Sequence, residues 1–113
     1  MAIEVNSLVF VGLNSRVAAV DNRSGETVWT WRAPRPRSHG YVSLLLLNDR
    51  QLIASVDGYT YCLDPRTGQE SWANELPGFG TGVASIAAVG RHTPYDVVLA
   101  AAADDERRRQ QSS

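Results

Sequence analysis

The feature that most constrains this chain is that it repeats itself. The stretch Ala19-Val20-Asp21-Asn22-Arg23-Ser24-Gly25-Glu26-Thr27-Val28-Trp29 returns as Cys62-Leu63-Asp64-Pro65-Arg66-Thr67-Gly68-Gln69-Glu70-Ser71-Trp72. Asp21/Asp64, Arg23/Arg66, Gly25/Gly68 and Trp29/Trp72 all stand at one offset of 43 residues, and the register holds without a gap from Val9/Leu52 to Pro34/Pro77. A period of this length is the mark of stacked supersecondary units, each too small to bury its own apolar face.

Each unit reads as strand, turn, strand. Residues 17–20 and 59–63 are rich in β-branched, aromatic and apolar side chains, so they read as strands. Asp-x-Arg-Ser/Thr-Gly follows, with Asp and Ser/Thr able to bond nearby backbone and Gly able to take a positive φ. A further strand then carries Trp29 or Trp72, a ring that needs a flat surface to cover. Earlier in each unit lies a second turn pair, Asn14-Ser15 in the first and Asp57-Gly58 in the second; Asp-Gly between apolar runs is a strong hairpin signal.

The order is that of the outer hairpin of a propeller blade. It resembles the tryptophan-docking repeat of pyrroloquinoline-quinone (PQQ)-type β-propellers, whose pattern is Ala-x-Asp-x-x-Thr-Gly-x-x-x-Trp. The first copy departs from it at Ser24 and the second at Cys62. The resemblance implies that each Trp packs across the gap between blades, against the small residue and Gly of a neighbouring motif. On that basis the structural docking residues are Ala19, Asp21, Gly25 and Trp29, with Cys62, Asp64, Gly68 and Trp72.

The expected fold is therefore all-β, with four-stranded antiparallel propeller blades, two per chain, in a propeller closed by homo-oligomerisation or as part of a larger propeller. Unit one supplies strands at 8–12, 16–20 and 27–32, within blade one at 8–34. Unit two is a whole blade over 41–77, with strands at 41–47, 52–56, 59–63 and 69–75. The Pro- and Arg-bearing linker 32–40 cannot easily continue a ladder and reads as an exposed crossing. A further blade begins at 82–103, with an inner strand at 82–89 and a second at 96–103. No docking motif follows; residues 104–113 are polar and read as a disordered tail.

Composition narrows the function. Hydrophobic residues make up 43% and charged residues 20%, so the chain is globular. A formal net charge of −1 gives no electrostatic case for nucleic acid or an anionic membrane. The longest strongly apolar run, residues 44–47, is far too short to span a bilayer. The first residues lack a basic segment before an apolar core, and one cysteine makes no internal disulfide, so the expectation is a cytoplasmic protein.

Candidate chemistry is sparse. His39 and His92 have no ligand at zinc spacing. Gly78-Phe79-Gly80-Thr81-Gly82 is followed by no helical pattern, so it reads as an inter-blade loop and not a phosphate cradle. Asp21 and Asp64, just before a Gly turn, read as backbone-capping groups and not as a catalytic pair. Cys62 reads as a buried filler. Ser24 and Thr67 lack an activating base. Trp31, aligned with Asn74, shares a face with Trp29 and reads as extra inter-blade packing.

The quinone-binding dehydrogenases resembled here add a calcium site, and several add adjacent cysteines, neither of which this sequence offers. No cofactor and no metal are therefore expected. The reading is a non-enzymatic β-propeller module for protein–protein interaction that self-assembles into a closed ring. The partner is itself, as a tetramer or trimer, together with a protein partner of unknown identity. In this scheme the inner strand that unit one lacks comes from residues 82–89 of the next copy, which pair with residues 8–12. The alternative is a fragment or degenerate copy of a PQQ-dependent dehydrogenase or other propeller enzyme.

Overall fold

The computed structural model describes residues 3–34 and 40–92. After a short 3-10 turn, Val5–Ser7, the chain forms β1 (Leu8–Leu13), β2 (Arg16–Asp21) and β3 (Thr27–Arg32). It then forms β4 (Val42–Asn48), β5 (Gln51–Val56), β6 (Tyr59–Leu63) and β7 (Glu70–Asn74), followed by the two-residue strands β8 (Ala87–Ala88) and β9 (Arg91–His92). The protein is all-β. Its two main sheets run β1-β2-β3 and β4-β5-β6-β7, each strand hydrogen-bonded to the next in sequence, and all pairs are antiparallel.

Tight turns at repeat-equivalent places set this order. Asn14 and Ser15 have φ of 50 and 62°, Asp57 and Gly58 have φ of 52 and 99°, and so both inner hairpins close with two successive left-handed residues. That geometry matches the right-handed twist of the strands it joins. The Asp turns are equivalent too. The Asp21 amide donates to the Glu26 carbonyl and the Asp64 amide to the Gln69 carbonyl, both at 2.8 Å. Each is accompanied by a register shift, at Ala19/Val20 in the first sheet and at Cys62/Leu63 in the second. The sequence repeat is thus a repeat of backbone geometry.

The core lies between the sheets. Val17 and Ala33 of the first unit meet Leu52, Ala54, Val56, Tyr61 and Leu63 of the second, with Phe10, Trp29 and Trp31 packed around them. Trp31 meets Tyr61 edge-on at 4.9 Å between ring centroids, so it serves inter-sheet packing. The sheets approach closely at Gly12, where a Cβ would lie 2.5 Å from Val42 Cγ1. A smaller cluster, Leu45, Ile53 and Cys62, sits on the other face of the second sheet and is touched by Ile86.

The crossing between the sheets is closed at one residue. Ser15 is buried; its carbonyl accepts from the Ala33 amide at 2.8 Å, and its amide donates to the Gly40 carbonyl at 2.9 Å. Its Oγ accepts from the Gly40 amide, also at 2.9 Å.

Residues 82–89 differ from the expected inner strand. Only Ala87–Ala88 is strand, and it pairs with Arg91–His92. Two causes are visible. Gly78, Gly80, Gly82 and Gly90 all take positive φ, which breaks extended geometry on both sides. The Ala84 carbonyl accepts from Ser43 Oγ at 2.8 Å, so the segment is held by a side chain and not by a ladder. The strand expected at 96–103 and the tail at 104–113 lie outside the described residues.

Candidate docking interface

The eight docking residues fall into two equivalent turns with strands on either side. In the first, Asp21 Oδ1 accepts from the amides of Arg23 at 2.8 Å and Ser24 at 3.2 Å. In the second, Asp64 Oδ1 accepts from the Arg66 amide at 2.9 Å. The glycine amides return to the aspartate carbonyls, Gly25 to Asp21 at 2.8 Å and Gly68 to Asp64 at 2.7 Å. Ser24 and Thr67 close the turns alike, each hydroxyl accepting the amide two residues on at 3.2 Å. Gly25 and Gly68 have φ of 77 and 78°, where a Cβ is strained.

These bonds explain the electrostatics. The backbone amides of Arg23 and then Ser24 hold the Asp21 carboxyl below its usual value of 3.8. The carboxylate caps its own turn through Oδ1, as the sequence implied. Burial pushes the Cys62 thiol up, so at neutral pH it is a neutral filler beneath the second sheet's surface and not a nucleophile.

The two tryptophans diverge. Trp29 lies on the second unit's turn: a Cβ at Gly68 would stand 2.5 Å from its Cε3 and 2.7 Å from its Cδ2. Its Nε1 donates to the Pro65 carbonyl at 2.9 Å, and Pro65 is fully buried under it. Phe10 tilts against the same ring with centroids 6.2 Å apart. Only glycine leaves room at this turn for an aromatic face. Trp72, directly across from Cys62 on the neighbouring strand, is 45% exposed. Among the described residues nothing lies within 4 Å of a Cβ built on Gly25.

The sheet faces show the same asymmetry. Leu52, Ala54 and Val56 are buried under the first sheet, whereas their equivalents Val9, Val11 and Leu13 are exposed. Beside the second sheet's outward face, a cleft of about 360 Å3 is bounded by Ser55, Thr60 and the segment from Phe79 to Ile86. Ser55 Oγ is buried there without a hydrogen-bond partner among the described residues. Neither the exposed valines nor this cleft was legible in the motif, although comparing burial across the repeat finds the valines.

A family model described as outer membrane protein assembly factor BamB, built on the PQQ-like repeat, matches residues 13–109. The chain belongs to this PQQ-like repeat family. No curated protein matches it. The match takes in both turns and both tryptophans, so the repeat found in the sequence is the family's repeat. A PQQ-like repeat is not by itself a quinone site. Among the described residues no three His, Cys, Asp or Glu side chains converge as a metal site would require, and the two motif aspartates are committed to turns. No described helix is long and apolar enough to cross a membrane.

Proposed function

We propose that this PQQ-like chain is a non-enzymatic β-propeller module that works through protein contacts, the first of them with its own copies. The observation that carries this is that the blade-to-blade contact is made once within the chain while both of its halves recur uncovered. Trp29 covers Gly68; among the described residues Trp72 and Gly25 are the same two surfaces without a cover. A protein with matching unsatisfied faces at opposite ends associates head to tail, and closes a ring where the rotation fits. Propellers hold about four to eight blades, so three or four copies bearing two blades each make six or eight.

The family's description as an outer membrane protein assembly factor supports a role in protein contacts. The commitment of Asp21 and Asp64 to backbone supports the absence of catalysis. A cytoplasmic setting belongs to the same proposal, resting on the lone buried cysteine. Two measurements check the reading. Light scattering at micromolar concentration is expected to give about three or four chains per particle, and a folded monomer overturns self-assembly. Protein supplied with PQQ and calcium is expected to reduce no dye with alcohol or aldose substrates; calcium-dependent reduction overturns the non-enzymatic part.

A further inference from the structure

We infer that the cleft on the second sheet's outward face binds a small, uncharged, largely apolar molecule whose carbonyl oxygen accepts a hydrogen bond from Ser55 Oγ. The inference goes beyond the self-assembling reading and does not depend on it. The cleft, of about 360 Å3, lies between strands β5 and β6 and the segment from Phe79 to Ile86. Small-molecule sites are concave, mostly apolar, roughly 300–1,000 Å3 in volume, and carry a few placed polar groups. This cleft has each of those properties.

The segment rests on the sheet at two places. The Gly80 carbonyl stands 2.8 Å from a Cβ built on Gly58, so it lies directly over the hairpin turn. Further along, the Ala84 carbonyl accepts from Ser43 Oγ at 2.8 Å. Ser43, Ser55 and Thr60 stand directly across from one another on three adjacent strands. The middle residue is 2% exposed, yet Ser55 Oγ has no hydrogen-bond partner among the described residues. A buried hydroxyl left unpaired costs stability, and one that borders a cavity is paired by an occupant of that cavity.

The repeat shows that this polarity is particular to the cleft. Between the two sheets Gly12 meets Val42, and Val17 is fully buried in the shared core. The offset of 43 residues carries Gly12, Val17 and Val42 to Ser55, Thr60 and Ser85. All three of these border the cleft, and all three bear a hydroxyl. The first contact is closed by apolar packing; its counterpart is open and lined with donors. Leu76, Phe79, Val83 and Ile86 supply apolar wall, and none of the described lining residues is ionisable. A charged molecule would lose its water there without gaining a counter-charge, which selects an uncharged one. A carbonyl satisfies the Ser55 O–H with an acceptor on an otherwise apolar body.

The test is a titration followed by amide shifts in heteronuclear NMR, with three probes of one size. Acetylnaphthalene carries the carbonyl, ethylnaphthalene lacks it, and naphthoate adds a charge. Acetylnaphthalene is expected to shift the amides of Thr60 and residues 80–86 and to saturate, and naphthoate is expected not to bind. Ser55→Ala is expected to weaken acetylnaphthalene about two- to tenfold, the worth of one hydrogen bond, and to leave ethylnaphthalene unchanged. Its melting temperature is expected to match or exceed the parent's, since the hydroxyl it removes is unpaired. Ser85→Trp, at an exposed position on the rim, is expected to block both uncharged probes. Equal weakening of both by Ser55→Ala, or a lower melting temperature, overturns the role of Ser55. Naphthoate binding as tightly as the ketone overturns the uncharged class. An absence of shifts around the cleft, or binding that survives Ser85→Trp, overturns the site. Shifts there that grow with protein concentration alone and exclude acetylnaphthalene assign the cleft to a second copy and overturn the ligand.

Discussion

Gly68 and Gly25 occupy the same turn with the same φ, yet only Gly68 has a ring above it. Their alanine variants therefore separate two costs. Gly25→Ala is expected to cost about 1–2 kcal/mol, the strain of a Cβ in the left-handed region. Gly68→Ala is expected to cost more, because its Cβ also displaces Trp29 and strains the bond from Nε1 to the Pro65 carbonyl. Urea unfolding measures both; equal losses would show that the Trp29 contact contributes nothing. The importance of these glycines was legible in the motif. What the motif hid was the difference between the two tryptophans, since the shared motif places Trp29 against a neighbouring unit and, among the described residues, leaves Trp72 half-exposed.

Asp21 gives the residue scale a pH signature. Folding lowers its pKa below 3.8 through the Arg23 and Ser24 amides. A depressed carboxyl stabilises the fold fully above its unfolded value and loses that contribution as pH falls through the folded one. The parent is expected to lose stability below about pH 4 more steeply than Asp21→Asn, which keeps an acceptor oxygen but does not titrate. Parallel acid unfolding profiles would remove the carboxylate from the account.

At the scale of elements, the strands were legible wherever a turn signal and an apolar run agreed. All seven strands of the two main sheets overlap their expected positions, because Asn14-Ser15, Asp57-Gly58 and the two Asp turns punctuate the chain. Residues 82–89 show where that reasoning stops. Their apolar character resembles an inner strand, but strand formation needs a ladder partner, and the Ala84 carbonyl is engaged by Ser43 instead. The role of Ser15 was equally hidden, since nothing local shows that it ties Ala33 and Gly40 together. Replacing it by alanine leaves the Gly40 amide unpaired in a buried place, and is expected to cost about 1–3 kcal/mol in thermal or denaturant unfolding. A variant within a few tenths of the parent would show that the crossing is not anchored there.

At the scale of the whole molecule, the chain presents one completed blade contact and two surfaces that match it. The first sheet's outer face repeats the surface that the second sheet buries, and the second sheet's outer face carries the ring that the first sheet has already used. Solvent-exposed valines and a half-exposed indole on opposite ends favour association, and among the described residues β1 has a partner strand, β2, on one side only. The family match explains the repeat; the proposed ring rests on the mismatch between equivalent positions. Electron microscopy of the purified protein tests it most directly. The account predicts particles that are closed rings with three- or four-fold symmetry and about six or eight blades. Isolated two-blade particles, or open filaments that never close, would contradict it.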